Sequence, residues 1–194
     1  MRINFDVGSA PTELGRKLGL AGVLGALLLL CAFAPPALAS PPTWLTPVSL
    51  SAAGQDAQTP VVAMDGNGDS EAVWTRSDGT NPILQTSFRE AGPGDTFAEQ
   101  DVNASNDSVA SSTPQVSQDQ FGDAEAVWVQ DGEIWWSWRT NDVFGFGVPG
   151  SELDFPNTGE SDPQVAVDSN GDVVAAWLWN DTHNVAGLEV VDRS

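Results

Sequence analysis

Short apolar stretches alternate with polar turns along most of the chain, and within each stretch the alternation has a period of two. Val62-Ala63-Met64 is followed by the turn Asp65–Gly68, and Glu71–Trp74 is a second apolar stretch. A period of two predicts strands, and a turn rich in Gly, Asn and Asp between two strands predicts a hairpin. No amphipathic helical pattern follows residue 39, so the sequence predicts an all-β domain.

This hairpin belongs to a 15-residue block that occurs three times, starting at Pro60, Pro114 and Pro163. Seven positions are identical in all three copies, and the last of them is a tryptophan: Trp74, Trp128 and Trp177. The copies start 54 and 49 residues apart. Strand-rich repeats with such a period are typical of propeller blades. We predict that the three tryptophans are structural residues of the repeat core.

Further strands are predicted after each block. A third strand follows every copy, at Ile83–Arg89, Glu133–Arg139 and Val185–Arg193, and a fourth follows the first two, around Phe97–Val102 and Phe144–Val148. Four strands per repeat make a blade. The segment Trp44–Ser51 is a further candidate strand, which in a closed ring would complete the last blade. We therefore expect about three four-stranded antiparallel blades, truncated or open, with both faces of each hairpin covered because both are largely apolar.

The repeated pattern P-x-V-x-x-D-x-x-G-D-x-x-A-x-W resembles the repeats of secreted bacterial β-propellers in the broad sialidase-like group with BNR-type repeats. The resemblance implies an exported bacterial protein that contains an incomplete propeller. It also implies that a sialidase activity would need a tyrosine nucleophile, and the sequence contains no tyrosine.

The first 39 residues have the pattern of a signal peptide. Arg16-Lys17 precede an apolar run, Leu18–Ala34, and Ala37-Leu38-Ala39 forms a small-residue cleavage site. The alternative is a retained membrane anchor, for which the run is short. We predict cleavage after Ala39, a propeller repeat domain over residues 40–194 without a membrane span, and a secreted or cell-surface location.

Composition excludes several functions. The chain has 27 acidic and 7 basic residues and a net charge of −20, which argues against nucleic acid as a partner. One Cys and one His cannot form a Cys/His metal site or a Cys–His catalytic pair, and we expect no cofactor.

The turns of the repeat are weak candidates for Ca²⁺ binding. The candidate ligands are acidic and amide side chains of the first and third copies: Asp65, Asn67, Asp69, Asp168, Asn170 and Asp172. An EF-hand loop requires a glutamate at position twelve, which is Arg76 or Trp179 here. The alternative is a hairpin turn in which these side chains accept backbone N–H bonds.

Two groups of residues are candidates for ligand binding. Each predicted third strand ends in an arginine, namely Arg89, Arg139 and Arg193, and three converging guanidinium groups can clamp a carboxylate. The alternative is a structural arginine paired with an aspartate of the same or the next blade. The second group is Trp135, Trp136 and Trp138, of which Trp136 and Trp138 share one strand face. Exposed, they can stack on sugar rings; buried, they belong to the blade core.

The favoured hypothesis is an exported, non-catalytic propeller segment that binds an extracellular protein or glycan, or serves as a scaffold. The alternatives are an extracellular carbohydrate-active enzyme of the glycoside hydrolase type and a fragment of a larger surface protein. A homo-oligomer that completes the ring is also consistent with three repeats.

Overall fold

The computed structural model describes residues 43–92, 94–97, 102–103, 105, 109–141, 146–147, 150–153, 159–180, 183 and 186–194. The predicted signal peptide lies outside these residues. Contacts divide the chain into Met1–Thr46 and Pro47–Ser194, and every described strand belongs to the second unit. Within the described residues, no helix is long and apolar enough to cross a membrane.

The strands form three antiparallel sheets, each built from consecutive segments of the chain. The first sheet has the order β1-β2-β3-β4, with β1 Gln58–Met64, β2 Ser70–Ser77, β3 Pro82–Arg89 and β4 Val102–Asn103. The second has the order β5-β6-β7-β8, with β5 Ser111–Gln118, β6 Ala124–Gln130, β7 Glu133–Arg139 and β8 Ser151–Glu152. The third has the order β9-β10-β11, with β9 Ser161–Val167, β10 Val173–Asn180 and β11 Ala186–Arg193. The prediction of three antiparallel repeat units is confirmed.

Two strand predictions are wrong. The structure assigns no strand to residues 43–57, which include the predicted strand Trp44–Ser51. Pro47 has no N–H to donate to a ladder, and alternation alone does not supply a partner strand. The described fourth strand of the second sheet is Ser151–Glu152, which pairs with Trp135 and Trp136. Of the predicted strand Phe144–Val148, Phe146 and Gly147 are not in a strand, and residues 144, 145 and 148 lie outside the described residues. The described part of that segment contains Phe146, which is buried in the core instead.

The fourth strand of the first sheet is described only in part. Only Val102–Asn103 is assigned as β4, and residues 98–101 of the predicted Phe97–Val102 strand lie outside the described residues. The third sheet has three described strands, so the expectation of about three four-stranded units holds for two of them.

The first strand of every sheet contains an irregularity at the repeat proline. The pairing register shifts between Gln58 and Val61, and equivalent shifts occur in β5 and β9. The residue before each proline has a positive φ: Thr59 (48°), Thr113 (46°) and Asp162 (53°). Because proline cannot donate to the ladder, a bulge at this point lets the strand continue without a missing hydrogen bond.

The sheets pack face to face, and the second lies between the other two. Strand β5 contacts β1, β2 and β3, and β9 contacts β5, β6 and β7. One apolar cluster between the first and second sheets contains Val73, Leu84, Ala124, Ala126, Trp128 and Phe146; another, between the second and third, contains Val127, Ile134, Ala175 and Trp177. The repeat tryptophans Trp74, Trp128 and Trp177 are 5%, 0% and 3% exposed, as predicted for core residues.

The expectation that both faces of each hairpin are covered is wrong for the first and third sheets, since Val174 and Leu178 on the outer side of β10 are 46% and 41% exposed. Val62 and Met64 are 74% and 67% exposed on the outer side of β1. The period-two pattern of a strand shows that one of its faces is apolar, but a neighbouring sheet is needed to bury that face.

Candidate functional site at the sheet junctions

The predicted arginine column occupies the ends of β3, β7 and β11, and two of the arginines reach the preceding sheet. Arg139 Nε donates to Glu71 Oε2 over 2.6 Å, and both side chains are fully buried. The Arg139 guanidinium carbon lies 3.8 Å from the centroid of the Phe88 ring. This arginine therefore joins the second sheet to the first by an ion pair and a cation–π contact.

Arg193 repeats the arrangement one junction further along. Its Nη2 donates to Glu125 Oε1 of the second sheet, and its guanidinium carbon is 5.0 Å from the Trp136 ring centroid. The Arg193 side chain is 47% exposed, whereas Arg139 is inaccessible. The second junction thus leaves a guanidinium group within reach of solvent.

Arg89 makes its contacts within its own sheet. Its Nη2 donates to the Gly68 carbonyl over 2.7 Å and to Ser70 Oγ over 3.0 Å, and its guanidinium carbon lies 5.8 Å from the Phe97 ring centroid. The structure therefore gives the three arginines three different sets of partners. For Arg139 and Arg193 the partner is a glutamate of the preceding sheet, which differs from the aspartate of the same or next blade that we had considered.

Burial raises the pKa values of both glutamates against the attraction of their arginines. The pKa of Glu71 is raised to about 7, chiefly by desolvation. Desolvation also raises the pKa of Glu125 to about 7, while its hydrogen bond to Arg193 opposes the change. Two carboxyl groups that titrate near neutral pH therefore lie at the two sheet junctions.

A cavity of about 60 Å³ lies between the second and third sheets beside the Arg193–Glu125 pair. Its lining is largely apolar and includes Val127, Trp136 and Leu153. Its polar lining residues are Glu125, Asp192 and Arg193. This volume is far below the roughly 300–1,000 Å³ of typical small-molecule sites.

The three neighbouring tryptophans have different surroundings. Trp135 packs against the cluster that contains Trp128, and Trp136 packs against the cluster at the second junction. Trp138 lies on the Trp136 face and is 48% exposed. The predicted ligand group therefore divides into two rings that fill the junctions and one that faces solvent.

The aspartates of the repeat turns accept backbone hydrogen bonds. Asp65 Oδ1 accepts from the N–H groups of Asn67, Gly68 and Asp69 over 2.7–2.8 Å. In the third copy Asp168 Oδ1 accepts from Asn170 and Asp172, and these bonds lower the Asp168 pKa, the Asn170 bond most. No group of three or more metal-binding side chains occurs among the described residues. The geometry is that of a capped hairpin turn.

The second aspartate of the turn ties the hairpin to the chain that follows it. Asp69 Oδ1 accepts from the Ala91 N–H over 2.6 Å, and Asp123 Oδ1 accepts from the Asn141 N–H over 2.8 Å. Ala91 and Asn141 each come two residues after the arginine of their repeat, so this contact fixes the end of the third strand where that arginine lies.

Sequence reasoning missed Glu71 and Glu125, the partners of the arginines. Both occupy the same position of the repeat, directly before an alanine that is identical in all three copies (Ala72 and Ala126 here). A charged residue repeated within an otherwise apolar strand was the available signal. The third copy has Val174 at this position.

Comparisons with known proteins concern the fold alone. No family model matches the chain, and no curated protein matches it. Among solved structures it is similar to a Hadza microbial sialidase, Hz136, with a TM-score of 0.53 and 10% identity over 71% of this chain and 35% of that one. The chain therefore spans about a third of the sialidase's length.

Two further solved structures give lower scores. A thermostable family-43 glycoside hydrolase has a TM-score of 0.44 at 10% identity, covering 74% of this chain and 56% of that one. A fucose lectin from Kordia zhangzhouensis has a TM-score of 0.40 at 16% identity, covering 69% of this chain and 94% of that one. The similarity to the sialidase agrees with a sialidase-like propeller fold of repeated antiparallel sheets.

Proposed function

We propose that this chain is an exported, non-catalytic propeller segment that binds a glycan on the face carrying Trp136 and Trp138. The observation that carries the proposal is the exposure of Trp138. A tryptophan ring that is 48% exposed beside a half-buried one offers a flat apolar surface on which a sugar ring can stack. The exposed guanidinium group of Arg193 adds hydrogen-bond donors next to that surface.

The surrounding polar groups favour binding over catalysis. Glu125 is paired with Arg193, and the turn aspartate Asp65 is occupied by backbone N–H groups. The fully buried Arg139–Glu71 pair cannot reach a ligand. The Arg–Glu pairs join neighbouring sheets and Asp65 caps a turn, so these recurring charges have structural partners, as expected of a scaffold for a binding surface.

The test is a glycan array with the wild-type protein and two variants. Trp138→Ala removes the exposed ring, and we expect it to abolish glycan binding. Phe121→Ala is the matched control, because Phe121 is an exposed aromatic residue (61%) in the β5–β6 turn, and binding should be unchanged. Equal binding by Trp138→Ala and the wild type would place the ligand elsewhere.

The same protein preparation can be assayed for glycan hydrolysis, which distinguishes an enzyme from a binding protein. Hydrolysis of an array glycan that is abolished by Glu125→Gln would show that the junction is an active site and would overturn the non-catalytic assignment. Export is tested separately by sequencing the N terminus of protein recovered outside the cell. We expect Ser40 as the first residue, and an intact leader on that protein would contradict cleavage.

A further inference from the structure

The two junctions within the chain have the same construction. In each, the first strand of the following sheet lies across the preceding one, β5 on the first sheet and β9 on the second. Pro114 and Pro163 are both less than 2% exposed at these contacts. Val116 and Val165, two residues later, pack against the two junction clusters. A Pro-x-Val strand is therefore the element by which each sheet covers its predecessor.

The first sheet has the same strand, and among the described residues no earlier sheet lies beneath it. Pro60 and Val62 occupy the positions of Pro114 and Val116, and both are exposed, Val62 at 74%. Met64 continues the row and is 67% exposed. We call Pro60, Val62 and Met64 the leading strip.

The third sheet has the complementary surface. Leu84 and Ile134 are fully buried on the faces that the next sheet covers, and Leu188, at the same position of β11, is 66% exposed. Around it lie other exposed apolar residues of the same face. We call the set the trailing face: Val174 (46%), Leu178 (41%), Leu188 (66%) and Val190 (61%).

The trailing face differs chemically from its two internal counterparts in one respect. Glu71 and Glu125 accept an arginine from the following sheet, but Val174 occupies their position in the third sheet. The partner of this face therefore needs apolar side chains and no inserted guanidinium group. Val62 and Met64 satisfy that requirement.

We propose that the trailing face binds the leading strip of a second copy of this chain. The contact is head-to-tail, because the two surfaces are different and lie on opposite outer sides of the stack of three sheets. It uses the Pro-x-Val strand in the way that both internal junctions do, whereas Trp74, on the same face as Val62, is already buried (5%) and takes no part in the proposed contact. Two copies joined at both ends would hold six sheets, within the four to eight blades of known propellers. Since each copy carries a charge of −20, added salt should strengthen the association.

The experiment measures molar mass by sedimentation equilibrium over a range of protein and salt concentrations. We expect the wild-type chain to form a dimer. Val62→Asp in the leading strip and Leu188→Asp in the trailing face should each weaken dimerisation roughly tenfold to a hundredfold, because each would bury an unpaired carboxylate. Phe121→Asp, an exposed apolar residue of a turn, is the matched control and should dimerise like the wild type.

Mixing the two variants tests the head-to-tail geometry. Each variant keeps one intact surface, so an equimolar mixture of Val62→Asp and Leu188→Asp should form a 1:1 complex at concentrations where each variant alone is mostly monomeric. Circular dichroism shows whether the variants remain folded, as expected for substitutions at exposed positions. A wild-type chain that stays monomeric at high protein and salt concentrations overturns the proposal. A dimer unaffected by both substitutions, or a mixture that fails to associate, also overturns it.

Discussion

Trp128 is the side chain whose removal should destabilise the fold most clearly. It is fully buried between the first and second sheets, where it packs with Val73 and Leu84. A buried tryptophan removes about 150–250 Å² from water, which at about 25 cal/mol per Å² corresponds to about 4–6 kcal/mol. Because unfolded chains already bury part of this area, the realistic figure is about 3–5 kcal/mol. This agrees with the cost of about 3–5 kcal/mol seen for Trp→Ala changes in cores.

Trp138→Ala is the matched control for Trp128→Ala. Both residues lie in the second sheet, but Trp138 is 48% exposed and has about half as much area to lose. We expect Trp138→Ala to lower the free energy of unfolding by less than about 2 kcal/mol. Urea unfolding followed by circular dichroism measures both values without relying on tryptophan fluorescence.

Two results would refute this reasoning. A Trp128→Ala variant within about 1 kcal/mol of the wild type would mean that the ring is not part of a packed junction. A Trp138→Ala variant as unstable as Trp128→Ala would mean that Trp138 is buried in solution, which would also remove the basis of the proposed glycan site.

Two further predictions concern the first junction. Burial raises the pKa of Glu71 from 4.5 to about 7, so between these pH values the folded protein holds a proton that the unfolded chain releases. This group therefore makes the free energy of unfolding fall as the pH rises from about 4.5 to about 7. Glu71→Gln should reduce that fall in urea titrations at pH 5 and pH 7, and an unchanged difference would contradict the assignment. Gly150→Ala should cost about 1–3 kcal/mol, because the added Cβ would overlap the Trp128 ring and the Trp136 carbonyl. Gly66→Ala, with open space around its Cα, is the control for thermal unfolding and should be nearly neutral.

The hairpins could be predicted from sequence because their signals are local. The strand Glu133–Arg139 is found with the predicted bounds. In the first repeat, Asp65 caps the turn between β1 and β2 by accepting from backbone N–H groups two to four residues later. Interactions over so few residues depend little on the rest of the fold. The fourth strands were predicted less well, since their pairing depends on loops whose course the alternation does not encode.

The residues of the candidate site could be predicted from the sequence, but the side chains that they contact could not. The repeat placed Arg139 and Arg193 at strand ends, but their glutamates are each 68 residues away in the chain. Likewise, the sequence placed Trp136 and Trp138 on one face without showing which of them is exposed. That difference arises because the third sheet covers part of the face that both rings share.

The sequence by itself determined the repeated, strand-based architecture, because alternation and turn chemistry act between near neighbours and recur three times. Only the tertiary structure decided which apolar faces are covered. An apolar face of a sheet is chemically the same whether or not another sheet lies against it, so Val116 and Val62 look alike in the repeat although one lies in a junction and the other faces water.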